Sequence, residues 1–209
     1  MLIEIAVFDG LDELDALGPL EVFRSATVCG GDLQAQLVTR KPQNVVTGRH
    51  GMRFVPDGIF EPGRADVLVV PGGGWTVRAP IGAWGEARRG DWFPLIRQAA
   101  DTVKVMVGVC TGTMLLAHAG VIGTRRAATH HAARAELAAT GATVLTDRVV
   151  DDGDLVTSGG VTSGIDLALW LLEREVGPEL AEQVAIRMEY AWTRPAVVPA
   201  PGAATGKHQ

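Results

Sequence analysis

Short apolar runs alternate along this chain with longer stretches whose apolar positions recur at helical spacing. Residues 2–8 (LIEIAVF), 33–39 (LQAQLVT), 66–70 (DVLVV) and 104–109 (KVMVGV) read as strands. DVLVV and VMVGV are nearly unbroken in Val, Leu and Met, which fits a parallel sheet covered on both faces. Helical patterns fall at 15–27, 91–102, 112–120, 131–140 and 163–175. The first is expected to begin near Gly18-Pro19, since proline is tolerated in a first turn. In the last, Ser163 and Asp166 match a capping box, and apolar residues around most of the circumference predict deep burial. Short extended pieces are expected around 44–55, and a hairpin joins 147–151 to 154–158. Parallel strands need crossovers, so these elements predict an open, three-layer α/β sandwich with a mostly parallel central sheet. One domain is expected over 1–194, with a frayed tail over 195–209, where prolines are frequent and periodicity is lost.

Composition narrows the class without naming a function. The 209 residues are 47% hydrophobic and 21% charged, too apolar for a disordered chain. A net charge of −5 advertises no surface for nucleic acid. Two cysteines, Cys29 and Cys110, make neither a disulfide framework nor a structural zinc site. The N-terminus turns acidic within a few residues, unlike a secretory leader. No apolar run reaches the ~18 residues of a membrane span. A cytoplasmic protein with reduced thiols is expected, acting on a small molecule, with no nucleic-acid or membrane partner.

In open α/β sheets, ligands bind beyond the carboxyl ends of the strands, and the candidate chemistry falls there. VMVGV runs into Cys110-Thr111-Gly112, a strand turning sharply into a helix in the manner of a nucleophile elbow. A cysteine at that junction faces the positive end of a helix dipole, which favours thiolate. Pro71-Gly72-Gly73-Gly74 follows DVLVV on the same rim, and the N–H groups of Gly72 and Gly73 are candidate donors to an oxyanion. After the first strand comes an acidic stretch from Asp9 to Glu21. There Asp15 and Glu21 are embedded in apolar sequence and are the carboxylates expected to be functional, whereas the remaining acids are expected to be solvated.

Histidine supplies the other candidates. His130 and His131 open a helix, and an imidazole near a thiol suits cysteine chemistry. An adjacent pair lacks the i, i+4 spacing of helical metal ligands, so neither metal nor cofactor is expected. His118 is expected to pack, and His50 and His208 to be exposed. Trp75, Trp84 and Trp92 are candidates for a pocket lining, a dimer contact or ordinary packing.

LDALGPLEVF, VVPGGG, GVCTGTMLLAHAGVIGTRRAATHH and VTSGGVTSGIDLALWL together resemble the ThiJ/PfpI superfamily, relatives of the class I glutamine amidotransferases, over roughly residues 3–190. The resemblance implies a flavodoxin-like sandwich, a reactive Cys110 and a homodimer. Within that superfamily the motifs are most similar to the branch holding isocyanide hydratases and the sensor domains of AraC-family regulators. The peptidases of the superfamily carry His after the nucleophile, where this chain has Thr111. His131 stands where that branch commonly has Trp, and His118 where it has a small residue.

By resemblance, Cys110 attacks the isocyanide carbon, Asp15 shuttles protons, and the N–H groups of Thr111 and Gly73 orient the intermediate while the Thr111 hydroxyl positions water. The product is an N-substituted formamide. Two other readings use the same cysteine: a small-molecule or redox sensor, and a glyoxalase or deglycase acting on 2-oxoaldehydes with a carboxylate or His130 as base.

Overall fold

Every residue of the runs 67–70 and 105–108 is buried in the computed structural model, which describes residues 1–192 and 194. These runs are β6 (Val67–Val70) and β7 (Val105–Gly108), the middle of a seven-stranded sheet. The others are β1 (Leu2–Ala6), β2 (Gln34–Thr39), β5 (Gly58–Ile59), β10 (Val149–Asp151) and β11 (Leu155–Ser158). Their order is β10-β11-β7-β6-β1-β2-β5, and only the β10–β11 pair is antiparallel. Two small ladders lie outside it: β3 (Val46–Thr47) against β4 (Arg53–Phe54), and β8 (Arg126–Ala127) against β9 (Thr143–Val144).

Parallel strands leave both faces to be covered, and the described residues hold seven α-helices. On one face α1 (Glu13–Val28), α6 (Ser163–Glu175) and α7 (Pro178–Arg187) pack on one another. On the other lie α2 (Ala83–Arg89), α3 (Phe93–Ala100) and α4 (Gly112–His118). The remaining helix, α5 (Arg134–Ala139), sits beside β9 after one 3₁₀ turn at His131–Ala133. This is the expected three-layer, flavodoxin-like sandwich with a mostly parallel sheet. No helix of the described residues is long and apolar enough to cross a membrane. The stretch 195–209 lies outside the described residues.

Three local expectations differ from the structure. Helix α1 begins at Glu13, not near Gly18-Pro19, and Pro19 sits inside it. An interior proline forfeits the bond to the carbonyl four residues back, here that of Asp15. Tertiary contacts override this. The Asp12 N–H donates to the Gly72 carbonyl at 2.9 Å, fixing where the helix starts, and Pro19 packs on Gly164 where α1 crosses α6. The capping box at 163–166 does not form: Thr162 is the cap residue, and Asp166 instead accepts from Arg148 and from the Tyr190 hydroxyl. Helices α2 and α7 lie outside the elements expected from periodicity.

The α1–α6 crossing stays close because Gly164 has no side chain. A Cβ there would lie 3.1 Å from Val109 Cγ1 and 3.2 Å from Pro19 Cγ. Gly164→Leu is therefore expected to destabilise the fold by about 1–3 kcal/mol through overpacking, read as a lower denaturant midpoint. An unchanged midpoint would show that α6 has room to move.

Candidate active site

Four strand ends converge on one rim of the sheet. The segments after β1, β6, β7 and β11 bring Asp12 and Asp15, Gly72 and Gly73, Cys110 and Thr111, and Val161 together. Cys110 is the residue at which β7 turns into α4, and its φ of 56° is the strained elbow expected there. Its N–H donates to the Gly159 carbonyl at 3.1 Å, and its own carbonyl accepts from the Thr129 hydroxyl at 2.8 Å. Backbone and strain are thus fixed on both sides of the sulfur.

Asp15 lies in the first turn of α1 and is wholly buried. Its Oδ2 accepts the Gly72 N–H at 3.0 Å, while Oδ1 has no hydrogen-bond partner of normal geometry. The carboxyl is nonetheless close enough to Cys110 for each group to perturb the other's proton affinity. Burial holds the Asp15 carboxyl well above the usual carboxylate range, helped by the neighbouring charge of Asp12. Burial also pushes the Cys110 thiol up, and the Asp15 charge pushes it further. The N–H groups of Thr111 and Val161 point at the sulfur and oppose this.

The expectation of a ready thiolate is corrected by these magnitudes. A helix terminus is worth about 0.3–1 kcal/mol, and Cys110 is only 4% exposed, so desolvation wins. The two acids act as a unit. With Asp15 protonated its charge no longer opposes ionisation of the thiol, and its O–H becomes a donor.

The glycine run has a different job from the expected one. Gly72 N–H is committed to Asp15, and Gly73 N–H donates to Thr111 Oγ1 at 2.9 Å, so neither is free to hold an oxyanion. These residues are glycines because three segments meet without space for a side chain. A Cβ on Gly72 would sit 2.3 Å from Thr111 Oγ1, and one on Gly73 2.3 Å from the Asp12 nitrogen. The donors aimed at the sulfur are those of Thr111 and Val161, the latter at a φ of 40° that is unusual for a β-branched residue. Sequence reasoning missed Val161; its only signal is the Gly159-Gly160 pair following a strand on the site rim.

The remaining candidates divide. His130 lines the cavity beside Cys110, its Nδ1 accepting the Ala132 N–H, and burial together with His131 keeps it below the usual histidine range and so neutral. Glu21 is exposed on α1 and bonds Ser25, away from the site. Asp12 and Glu13, expected to be solvated, are buried instead. Glu13 accepts the N–H groups of His50 and Met52 and the His50 imidazole at 2.7 Å, clasping the β3–β4 turn to α1. Donor atoms of Asp12, Glu13 and His50 lie within 4.8 Å of one another, but this clasp already occupies the Glu13 oxygens. His118 packs its ring on Trp75 at 5.5 Å. Trp75 and Trp92 are buried and Trp84 half-buried, while His208 lies outside the described residues.

The space over the sulfur is a cavity of about 40 Å³ lined by Asp12, Arg49, Gly73, Trp75, Cys110 and Val161, among others. Holding one water takes about 10–15 Å³ of such space, so the cavity admits a narrow group of few atoms.

The chain is similar to known proteins along most of its length. The family model of the DJ-1/PfpI family matches residues 1–174. The chain is 37% identical to an isonitrile hydratase of Pseudomonas putida, over 88% of this chain and 76% of that one. A crystal structure of a ThiJ/PfpI family protein from Pseudomonas syringae superposes with a TM-score of 0.81 at 26% identity, covering 99% of this chain and 78% of the other. Drosophila melanogaster DJ-1beta gives 0.79 at 20% identity, over 91% and 98% of the two chains, a likeness of fold.

Asp15→Asn tests the coupling in two ways. Removing the charge lowers the proton affinity of Cys110, so alkylation by iodoacetamide is expected to reach half its limiting rate at lower pH than in the wild type. The second readout is stability. Asp15 holds its proton more tightly folded than unfolded, so its contribution is present at low pH and is lost as pH rises above the ordinary carboxylate range. The variant is therefore expected to match the wild type near pH 4 and exceed it in unfolding free energy at pH 7. Equal stability at both would show that Asp15 is not desolvated as described.

Proposed function

Since the chain belongs to the DJ-1/PfpI family, we propose that it hydrates an isonitrile (isocyanide) to the N-substituted formamide, with Cys110 as nucleophile and Asp15 as the proton carrier. The observation that carries this reading is the buried carboxyl of Asp15, anchored through one oxygen by Gly72, unpartnered at the other, and close enough to the Cys110 thiol for each to shift the other's proton affinity. A carboxyl whose proton affinity is raised by burial is an acid available to a carbanion, and after giving up its proton it is a base for water.

The steps balance on that single shuttle. The pair reacts with one proton between its two groups, carried by Asp15: Cys110 as thiolate adds to the terminal carbon of the isonitrile, and the carbon takes that proton, giving a thioimidate and the Asp15 carboxylate. Asp15, now a carboxylate, removes a proton from water as the oxygen adds to the same carbon, and passes it to nitrogen. It then takes the hydroxyl proton as the C–S bond breaks and the formyl C=O forms. The formamide leaves, and Cys110 and Asp15 return to their starting state. The N–H groups of Thr111 and Val161 stabilise sulfur when it carries charge, at the start and at the end.

The size of the cavity supports this class over the alternatives. An isonitrile presents a linear two-atom terminus, which suits about 40 Å³ better than the branched, hydrated head of a 2-oxoaldehyde. His130 Nδ1 already accepts the Ala132 N–H, so the neutral ring carries its proton on Nε2 and is a donor rather than a base.

Purified protein incubated with alkyl and aryl isonitriles is expected to release formamide. Cys110→Ala is expected to abolish it, and Asp15→Asn to reduce it by about 10²–10⁴-fold, the usual worth of a positioned acid–base group. Formamide release at the full rate by Asp15→Asn would remove the carboxyl from the mechanism. Absence of turnover, with Cys110 still alkylated, would shift the reading to a 2-oxoaldehyde enzyme or a sensor.

A further inference from the structure

Only the reactive end of a substrate fits over Cys110, so its remainder must lie elsewhere. The small cavity shares Arg49 and Gly74 with a groove of about 610 Å³, within the range that holds an entire small ligand. One wall is Val45, Thr47 and Gly48 with Arg49 and Arg53, and the other is Val77, Ala79 and Ile81.

Both walls are pinned. The first is tied to α1 through Glu13 and to the floor by the Gly10 N–H, which donates to the Thr47 carbonyl at 2.8 Å. On the second, Trp75 Nε1 and the Arg78 guanidinium both donate to Glu136 on α5, at 2.9–3.1 Å. The groove is therefore formed before a ligand arrives.

Its surface is mainly apolar, with Val77 and Ile81 left exposed, but it carries charge at defined points. Asp9 is committed, accepting the Thr47 N–H at 2.8 Å and the Gln43 amide at 3.0 Å. Arg49 faces Asp12 at 3.9 Å. Arg53 lines the groove and forms no ion pair among the described residues. An apolar trough that adjoins the cavity over the sulfur and is lined by an uncommitted guanidinium fits one ligand chemistry: a narrow head, an apolar body and an anionic end.

We infer that the substrate is an isonitrile whose apolar chain occupies this groove and whose carboxylate is bound by Arg53. The inference rests on the hydratase reading and adds to it the part of the substrate that does not react. Arg53 is a specificity residue in this account, and Val77 and Ile81 supply the surface against which the chain lies.

The test compares hexyl isonitrile with 6-isocyanohexanoate. Wild-type protein is expected to favour the carboxylate in kcat/KM by about tenfold, the worth of one charge-assisted contact at a partly wet site. Arg53→Ala is expected to lower kcat/KM for the carboxylate about tenfold more than for hexyl isonitrile, with Arg53→Lys between. Ile81→Glu, which places a like charge in the groove, is expected to reverse the preference. Equal use of the two isonitriles by the wild type, or a preference that survives Arg53→Ala, overturns the inference and leaves the hydratase reading standing. Turnover of neither compound overturns both together. A fall in solution mass with Ile81→Glu, the preference unchanged, assigns the groove to a second copy of the chain and also overturns the inference.

Discussion

Burying one carboxyl beside one thiol is the constraint on which the site depends. A carboxylate removed from water without a cationic partner costs several kcal/mol, and Asp15 has none within its own hydrogen bonds, only the Gly72 N–H. The protein answers by raising the proton affinity of the carboxyl. That choice needs a dry, tightly closed junction, and the surrounding sequence supplies it. The glycines of the 71–74 loop remove every side chain that would keep α1, the loop and the elbow apart. The Asp12 N–H bonds the loop carbonyl while the Asp15 carboxyl bonds the loop N–H, so α1 and the loop hold each other.

The same junction explains why strain collects here. Cys110 and Val161 both adopt left-handed backbone conformations, each costing of order 1–3 kcal/mol. Both are ends of buried parallel strands or the loops just beyond, where the sheet fixes the chain firmly enough to impose such angles. The result is a sulfur with two N–H groups directed at it and an acid at its side. A less constrained loop would relax and lose that geometry.

From this centre the protein extends outward in two walls of different origin. The β3–β4 hairpin is held by Glu13, a residue of the same helix turn as Asp15, so the groove and the acid share one anchor. The opposite wall is held by Glu136 from α5, far along the chain. Reaction and recognition are thus built on neighbouring parts of one rim, one wall sharing the anchor of the acid and the other secured separately.

Much of this was legible in the residues alone. Runs such as DVLVV and VMVGV declare strands buried on both faces, and a Cys-Thr-Gly sequence closing such a run declares an elbow, because only a sharp turn joins that strand to the helix after it. Asp15, an acid set among apolar neighbours at the start of an amphipathic stretch, was also readable, and the ordered motifs gave the family. What the sequence could not decide were the partners of each polar group. Glu21, like Asp15, is flanked by apolar residues, yet one turns outward and the other inward, because helix phase is set by the α1–α6 crossing. Gly72 and Gly73 look like anion donors until the fold shows their N–H groups already used. The proton affinity of Cys110 likewise depends on burial and on a carboxyl 95 positions away, since desolvation and charge act through space and only the tertiary structure sets those distances.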